Sequence, residues 1–439
     1  MEYEYDNSND PIWLVNGRVN EVLFAGKLKL EHQMIYADGA FFTTEGRLKD
    51  ENVLKQEIYR NLKYYSCSNV MRKVDNILAV LRYECSQKSL PLNERVLHLE
   101  NGTYDLIDGL SQERQICRHR LPVKYLPNGP EPKLWLEFLN DLLEPEDIET
   151  LQEFMGYCLI PVNLGQKMLI IIGRGGEGKS RIGYVMKHML GDGMNFGSIA
   201  KVETDRFARA DLEHKLLMVD DDLRMDALPS THNLKTMITA ENMVDLERKG
   251  VQSYQGRMYA RFMAFGNGAL QAANDASYGF FRRQIILQTK PKDPNRVDDP
   301  YLTRRLKQEI DGIFFWALMG LYRLLGQDFR FTISENARSN QLVAMDERNH
   351  ISEFLERSGN VVFSPEGHVT SKQLYESYYA WCQDNLKRAM SSTSFFNQLR
   401  LDAAKWSVRY SNSVPYRDGK RVRGYFGMAL STKNGGNCQ

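Results

Sequence analysis

The stretch Met168-Leu-Ile-Ile-Ile-Gly173-Arg-Gly-Gly-Glu-Gly178-Lys179-Ser180 decides how the rest of this chain is read. Five apolar residues predict a buried strand, and the run from Gly173 to Ser180 fits GxxxxGK[ST]. Beyond it, Ile182, Val185, Met186, Met189 and Leu190 recur at i, i+3, i+4, i+7 and i+8, one face of a helix. In a strand-loop-helix setting, glycines let backbone N–H groups close around phosphates, and the helix N-terminus adds positive potential. Lys179 then reaches the β and γ phosphates and Ser180 ligates magnesium. Gly173, Gly175, Gly176, Glu177, Gly178, Lys179, Ser180 and Arg181 are therefore the expected nucleotide-binding set, with ATP and Mg2+ as ligands.

A phosphate loop of this kind needs carboxylates at the end of a neighbouring apolar strand, and Leu216-Leu-Met-Val-Asp220-Asp221-Asp222 supplies three. The expected division gives magnesium to Asp220 and the orientation of water to Asp221 or Asp222, since clustered like charges raise a carboxylate's pKa. Further on, Phe262-Met-Ala-Phe-Gly-Asn267-Gly268 is an apolar strand ending in an amide, which taken alone is a turn. Arg282-Arg283 is either a surface pair or a source of an arginine finger. Between these lies Asp245-Leu-Glu-Arg248-Lys249-Gly250, a basic tip that either grips a phosphate backbone or is a solvated turn.

Alternation of strand-like runs (MLIII, KLLMVD, YARFMAFGN, QIILQT) with helical segments predicts an α/β domain on a parallel sheet over residues 161–335. Before it, residues 1–125 read as a mixed α+β domain. It has helices near Glu51 to Tyr65 and Val70 to Glu84 and a hairpin at the Asp-Gly turn of MIYADGAFFTTEG. Residues 126–160 are a proline-rich linker with two helices. Residues 345–430 follow a winged-helix pattern closed by a hairpin around Asp418-Gly419. From Asn385 onward ten Lys or Arg face two Asp, although the whole chain carries a net charge of only +1. Arg417, Lys420, Arg421 and Arg423 sit on that hairpin, so the C-terminal region is expected to meet duplex DNA.

Composition narrows the field. No apolar run approaches the ~20 residues of a membrane span. The start MEYEYDNSND lacks the basic segment of a signal peptide, so no membrane association and a cytoplasmic location are expected. Six cysteines carry no CxxC spacing, which points to reduced thiols and to no metal beyond one brought by a nucleotide.

Taken in order, GRGGEGKS, LLMVDDD, the DLERKG turn, FMAFGNG and FFRR resemble the superfamily 3 helicases. The likeness is to the poxvirus-like primase-helicase branch of phages, plasmids and staphylococcal-type pathogenicity islands. HLENGTYDL and RFARADLEHKLLMVDDDL resemble that branch as well. The resemblance implies an AAA+ domain, a hexameric ring hydrolysing ATP between subunits, and movement along single-stranded DNA after origin binding. It makes Lys179 and Ser180 the Walker A residues, Asp220 and Asp221 Walker B, Asn267 the sensor and Arg282 or Arg283 the finger. It also places Arg248 and Lys249 on the pore hairpin. Two features depart from the pattern: three aspartates stand where the family often has a glutamate, and the N-terminal region is too short for a primase. A separate protein is therefore expected to prime. The rival readings are an ATP-dependent DNA-binding initiator without motor activity and another P-loop DNA motor.

Overall fold

The computed structural model describes residues 10–65, 68–223, 228, 230–240, 243–270, 278–385, 387, 389–401, 403–416 and 420–431. Arg417 and the Asp418-Gly419 turn of the expected C-terminal hairpin lie outside these residues. The chain divides into two compact units, residues 1–129 with 188–193, and residues 130–187 with 194–439.

In the first unit, helices Glu21–His32, Asn52–Leu62 and Val70–Glu84 bury one apolar face each around Trp13, Phe24, Phe41, Ile58 and Leu81. The expected hairpin pairs Ile35–Ala37 with Ala40–Thr43. Its turn has Asp38 at φ 50° and Gly39 at φ 73°. Two positive φ values suit the right-handed twist of the strands, and the Asp-Gly pair adopts them at low cost. A second three-stranded meander joins Val96–Leu99, Gly102–Asp105 and Gly109–Ser111.

The second unit is built on five parallel strands: β1 (Met168–Ile172), β2 (Met194–Phe196), β3 (Leu217–Leu223), β4 (Arg261–Gly266) and β5 (Gln284–Gln288). Their order across the sheet is β2-β3-β4-β1-β5. A strand covered on both faces reads as an unbroken apolar run, which is why MLIII and RFMAFG are buried almost throughout. Met168 and Ile170 pack with Phe262, Ala264 and Ile286 on one face. The other face meets α1 (Ser180–Leu190), where Gly183 approaches Phe265 and Val219 closely. All five residues of the helical face read from the sequence, Ile182 through Leu190, are buried.

Helices Pro145–Tyr157 and Ile310–Gly326 cross at two glycines: a Cβ on Gly156 would lie 2.4 Å from the Ala317 carbonyl oxygen, and one on Gly320 2.4 Å from that of Gln152. Glu153, fully buried at the same crossing, accepts from Arg323 Nε at 2.6 Å and from Thr332 N–H at 2.7 Å. Helix Lys133–Leu142 is capped at a distance, the Glu309 carboxylate accepting from Leu134 and Trp135 N–H.

The C-terminal part runs helix Glu335–Glu356, strand Val361–Thr370, helices Ser371–Asp384 and Ser392–Leu401, and strands Arg409–Pro415 and Arg421–Leu430. The strand Arg421–Leu430 lies in the middle of an antiparallel sheet. Phe354, Tyr378, Trp381, Phe395 and Tyr425 fill its core. The sequence reading carries the second of the paired helices from Phe395 to Lys405, whereas the helix runs Ser392–Leu401. Residues 403–407 are held instead by Glu356, which takes Lys405 Nζ at 2.5 Å and Trp406 Nε1 at 2.8 Å.

Candidate functional site

Parallel strands bring the ends of β1, β3 and β4 to one edge of the sheet, because Ile172 stands beside Gly266 and Gly266 beside Leu223. The loop after β1, the aspartates of β3 and the amide after β4 therefore share that edge. In the loop, Gly175, Gly176 and Gly178 have φ of 106°, 83° and 103°, a region where any side chain is strained. Gly173 has a different constraint. The position of a Cβ there is 2.3 Å from Thr289 Oγ1, 2.9 Å from Lys179 Nζ and 3.1 Å from the Glu177 carboxyl carbon. The Gly173 N–H donates to the Gly266 carbonyl at 3.0 Å, tying the loop to β4.

Sequence reasoning places Glu177 in the nucleotide-binding loop, where its carboxylate, unlike a backbone N–H, has no proton to donate to a phosphate. Glu177 is 4% exposed and itself takes the loop's donors: Gly175 N–H at 2.8 and 3.0 Å and Lys179 Nζ at 2.9 Å. Burial pulls its pKa up, while the Lys179 ammonium and loop N–H groups pull it down further, leaving it below the ordinary range. Ser180 opens α1 half-buried, and Arg181 reaches Thr303 Oγ1 at 2.8 Å.

Asp220 is 6% exposed within β3. Its Oδ2 accepts the Ile199 N–H at 2.7 Å, capping helix Ile199–Thr204, and burial raises its pKa. Met218, two residues earlier on the same strand face, lies against Gly197, whereas Val219 faces Gly183 of α1. The register of β3 against β4 shifts between Asp220 and Leu223, and within that irregularity Asp221 and Asp222 are both exposed. Asn267 is exposed directly after β4.

Arg282 and Arg283 stand apart from this edge. They precede β5, whose first residue Gln284 pairs with Met168, so they flank the opposite end of the sheet from their own loop. Arg283 bonds back to the Gly279 carbonyl and Arg282 is exposed. Arg248 and Lys249 lie at the tip of a hairpin, Val244–Leu246 with Tyr254–Gly256, inserted between β3 and β4. Arg248 is held by Glu213 at 2.7 Å, and Lys249 is exposed beside Gly250. Lys420, Arg421 and Arg423 are exposed on or beside the strand Arg421–Leu430.

Residues 13–144 match the model of a family described as D5 N terminal like, and residues 171–283 that of a family of unknown function, DUF5906. No curated protein matches the sequence. Among solved structures, the apo C-terminal region (305-718) of NrS-1 is 13% identical, with 93% of this chain and 100% of that one covered and a TM-score of 0.51. Two A-form apo structures of that region give TM-scores of 0.48 and 0.49 at 12% and 11% identity. They cover 92% of this chain and 99% and 98% of theirs. The fold is thus shared with the NrS-1 C-terminal region along nearly the whole chain.

Several residues at the site carry no signal in the sequence. Thr289, after β5, is 7% exposed above Gly173, and its Oγ1 has no hydrogen-bond partner among the described residues. Arg296 donates to the Glu177 carbonyl at 2.9 Å from the loop beyond. Glu213, which also accepts from Tyr254 Oη at 2.6 Å, fixes the base of the hairpin. None belongs to a short motif, because each reaches its partner only after the strands have been ordered.

Among the described residues no group of His, Cys, Asp or Glu has the spacing of a metal cluster, and no helix is long and apolar enough to cross a membrane.

Proposed function

We propose that this chain is an ATP-driven DNA helicase and replication initiator of a phage or related mobile element, an AAA+ protein of the superfamily 3 kind. The observation that carries the reading is the strand order β2-β3-β4-β1-β5 with its loops: the phosphate loop follows β1, the aspartates follow from β3, and Asn267 follows β4. A basic hairpin is inserted between β3 and β4. The fold shared with the NrS-1 C-terminal region and the match to the D5 N terminal like family support it.

The loop residues fit ATP and Mg2+, since a buried lysine, glycine N–H groups and the unpaired hydroxyl of Thr289 all face one small cradle. Lys179 and the loop N–H groups would hold the phosphates and offset charge as the terminal phosphoryl group leaves. Ser180 and the exposed Asp221 would hold the ion, while Asp220 positions the neighbouring helix. Asp222 is then the remaining carboxylate for water. The bound triphosphate supplies the free energy of hydrolysis.

Arg282 cannot reach its own cradle from the far end of the sheet, so its role is on a neighbouring subunit's nucleotide, which calls for a ring, a hexamer in this reading. Asn267 and the Gly173–Gly266 hydrogen bond link the cradle to β4, whose other end leads back to the hairpin with Arg248 and Lys249. That route converts phosphate release into hairpin movement on single-stranded DNA. The C-terminal helix pair and three-stranded sheet act as a winged helix on origin duplex, with Lys420, Arg421 and Arg423 on phosphates. The protein works in the host cytoplasm beside a separate primase.

Strand displacement on a forked DNA tests this. The wild type unwinds with ATP, and Lys179→Ala does not, although it still binds duplex. Binding by both without unwinding by either would make the chain an ATP-dependent initiator instead.

A further inference from the structure

The geometry points to Glu177 as an internal stand-in for a nucleotide phosphate, one that incoming triphosphate displaces, and to the Thr289 hydroxyl as a further phosphate donor released for use by that exchange. This rests on the nucleotide-binding reading of the loop.

Three observations converge. The Glu177 carboxylate takes both kinds of donor a phosphate would use here, the Gly175 N–H and the Lys179 ammonium, in a place where side chain and lysine are almost wholly buried. An anion cradle satisfied from within its own loop holds its lysine in place and offsets the cost of a buried charge. Yet the carboxylate does not complete the cradle. Thr289 Oγ1, more than nine-tenths buried, sits over Gly173 within the same small space as Lys179 Nζ and the Glu177 carboxyl, and has no partner among the described residues. A buried hydroxyl without a partner is costly and uncommon, so its placement calls for an acceptor. A planar two-oxygen carboxylate leaves it unpaired, whereas a tetrahedral phosphate brings more acceptor oxygens to the same spot.

Entry of a triphosphate therefore has an opposing cost: Glu177 must leave the lysine, and its negative charge must move away from the phosphates. Arg296, bonded to the Glu177 carbonyl from the loop after β5, keeps the main chain of the cradle in place while the side chain swings out.

Titration calorimetry with ATP and with inorganic tripolyphosphate, on the full chain, separates the parts of this argument. Glu177→Gln should bind both roughly fivefold more tightly than the wild type, since the neutral amide competes less for Lys179. Thr289→Val, nearly the same shape without the hydroxyl, should bind both roughly fivefold more weakly, and Thr289→Ser should restore the wild-type value. Circular dichroism on each variant reports folding independently. If the wild type binds neither ligand, the nucleotide reading itself fails. If the wild type binds, Lys179→Ala does not, and Glu177→Gln binds no more tightly, the loop stands and the stand-in role of Glu177 is overturned. Equal affinity of Thr289→Val and wild type overturns the role of the hydroxyl.

Discussion

The Arg261 guanidinium lies 4.7 Å from the centre of the Tyr157 ring and donates to the carbonyl oxygens of Tyr157 and Ile160, and to that of Tyr259 at 2.5 Å. Tyr157 is the last residue of helix Pro145–Tyr157, where carbonyls lack helical partners and a cation is favoured, and Ile160 lies three residues beyond it. Arg261 begins β4, the strand that leads to Asn267, so it anchors one end of the strand to the helical layer.

Replacing Arg261 with Met should cost about 3 kcal/mol, because it leaves buried carbonyls unpaired even as it removes a charge from the interior. Urea unfolding followed by tryptophan fluorescence reads this. A neutral or stabilising result would mean that the buried cation is not what holds β4 to the helix.

Gly320→Ala should destabilise by about 2 kcal/mol, since its Cβ would meet the Gln152 backbone in a crossing with no free space. Gly326, at the end of the same helix, has nothing within 4 Å of that position. Gly326→Ala should be neutral or stabilising by up to about 1 kcal/mol. Equal effects at the two positions would remove the packing argument.

His98 has its pKa lowered to about 4, first by burial and then by the Arg120 charge. An unfolded histidine titrates near 6.5. The folded value is the lower one, so the unfolded chain takes up the proton first. Stability from a neutral His98 is then complete above pH 6.5 and falls away between 6.5 and about 4, by about 3 kcal/mol in all. Thermal unfolding across that range should show the loss, and His98→Gln should flatten it. An unchanged pH profile in the variant would assign the acid sensitivity to other groups.

Asp221→Asn should lower ATP turnover roughly a hundredfold with little change in melting temperature, because the side chain is exposed. Asp220→Asn should instead lower the melting temperature, by weakening the cap on Ile199. The reverse pattern would return the magnesium role to Asp220.

Arg282→Ala and Lys179→Ala should each abolish ATP hydrolysis, and mixing the two chains should restore part of it. In a mixed ring some interfaces pair an intact lysine with an intact arginine from the neighbour. No recovery on mixing, with mixed assembly verified by crosslinking, would place Arg282 outside the active interface.

The local features of this protein were legible in its residues. Runs such as MLIII and the 3.6-residue spacing from Ile182 to Leu190 report burial on neighbours a few positions away, and glycines mark where the backbone must turn left-handed. Those signals are short-range, so strand, loop and helix could be placed around Gly173 to Ser180 and the Asp38-Gly39 turn without any contact map.

Strand order, by contrast, is a property of the whole sheet. Only when β4 lies between β1 and β3 does it become apparent that Asn267 stands beside the loop after β1 and that Arg282 lies at the other end of the sheet. The contrast among the three aspartates likewise waits on folding, which buries Asp220 against Ile199 and leaves Asp221 and Asp222 exposed. Thr289 and Arg296 show the limit most clearly. They are more than a hundred residues from Gly173 and Glu177 in the chain, and only folding brings the hydroxyl and the guanidinium to the loop. Periodicity along the sequence determined which residues are buried and where the chain turns, while tertiary packing alone decided which buried polar groups meet.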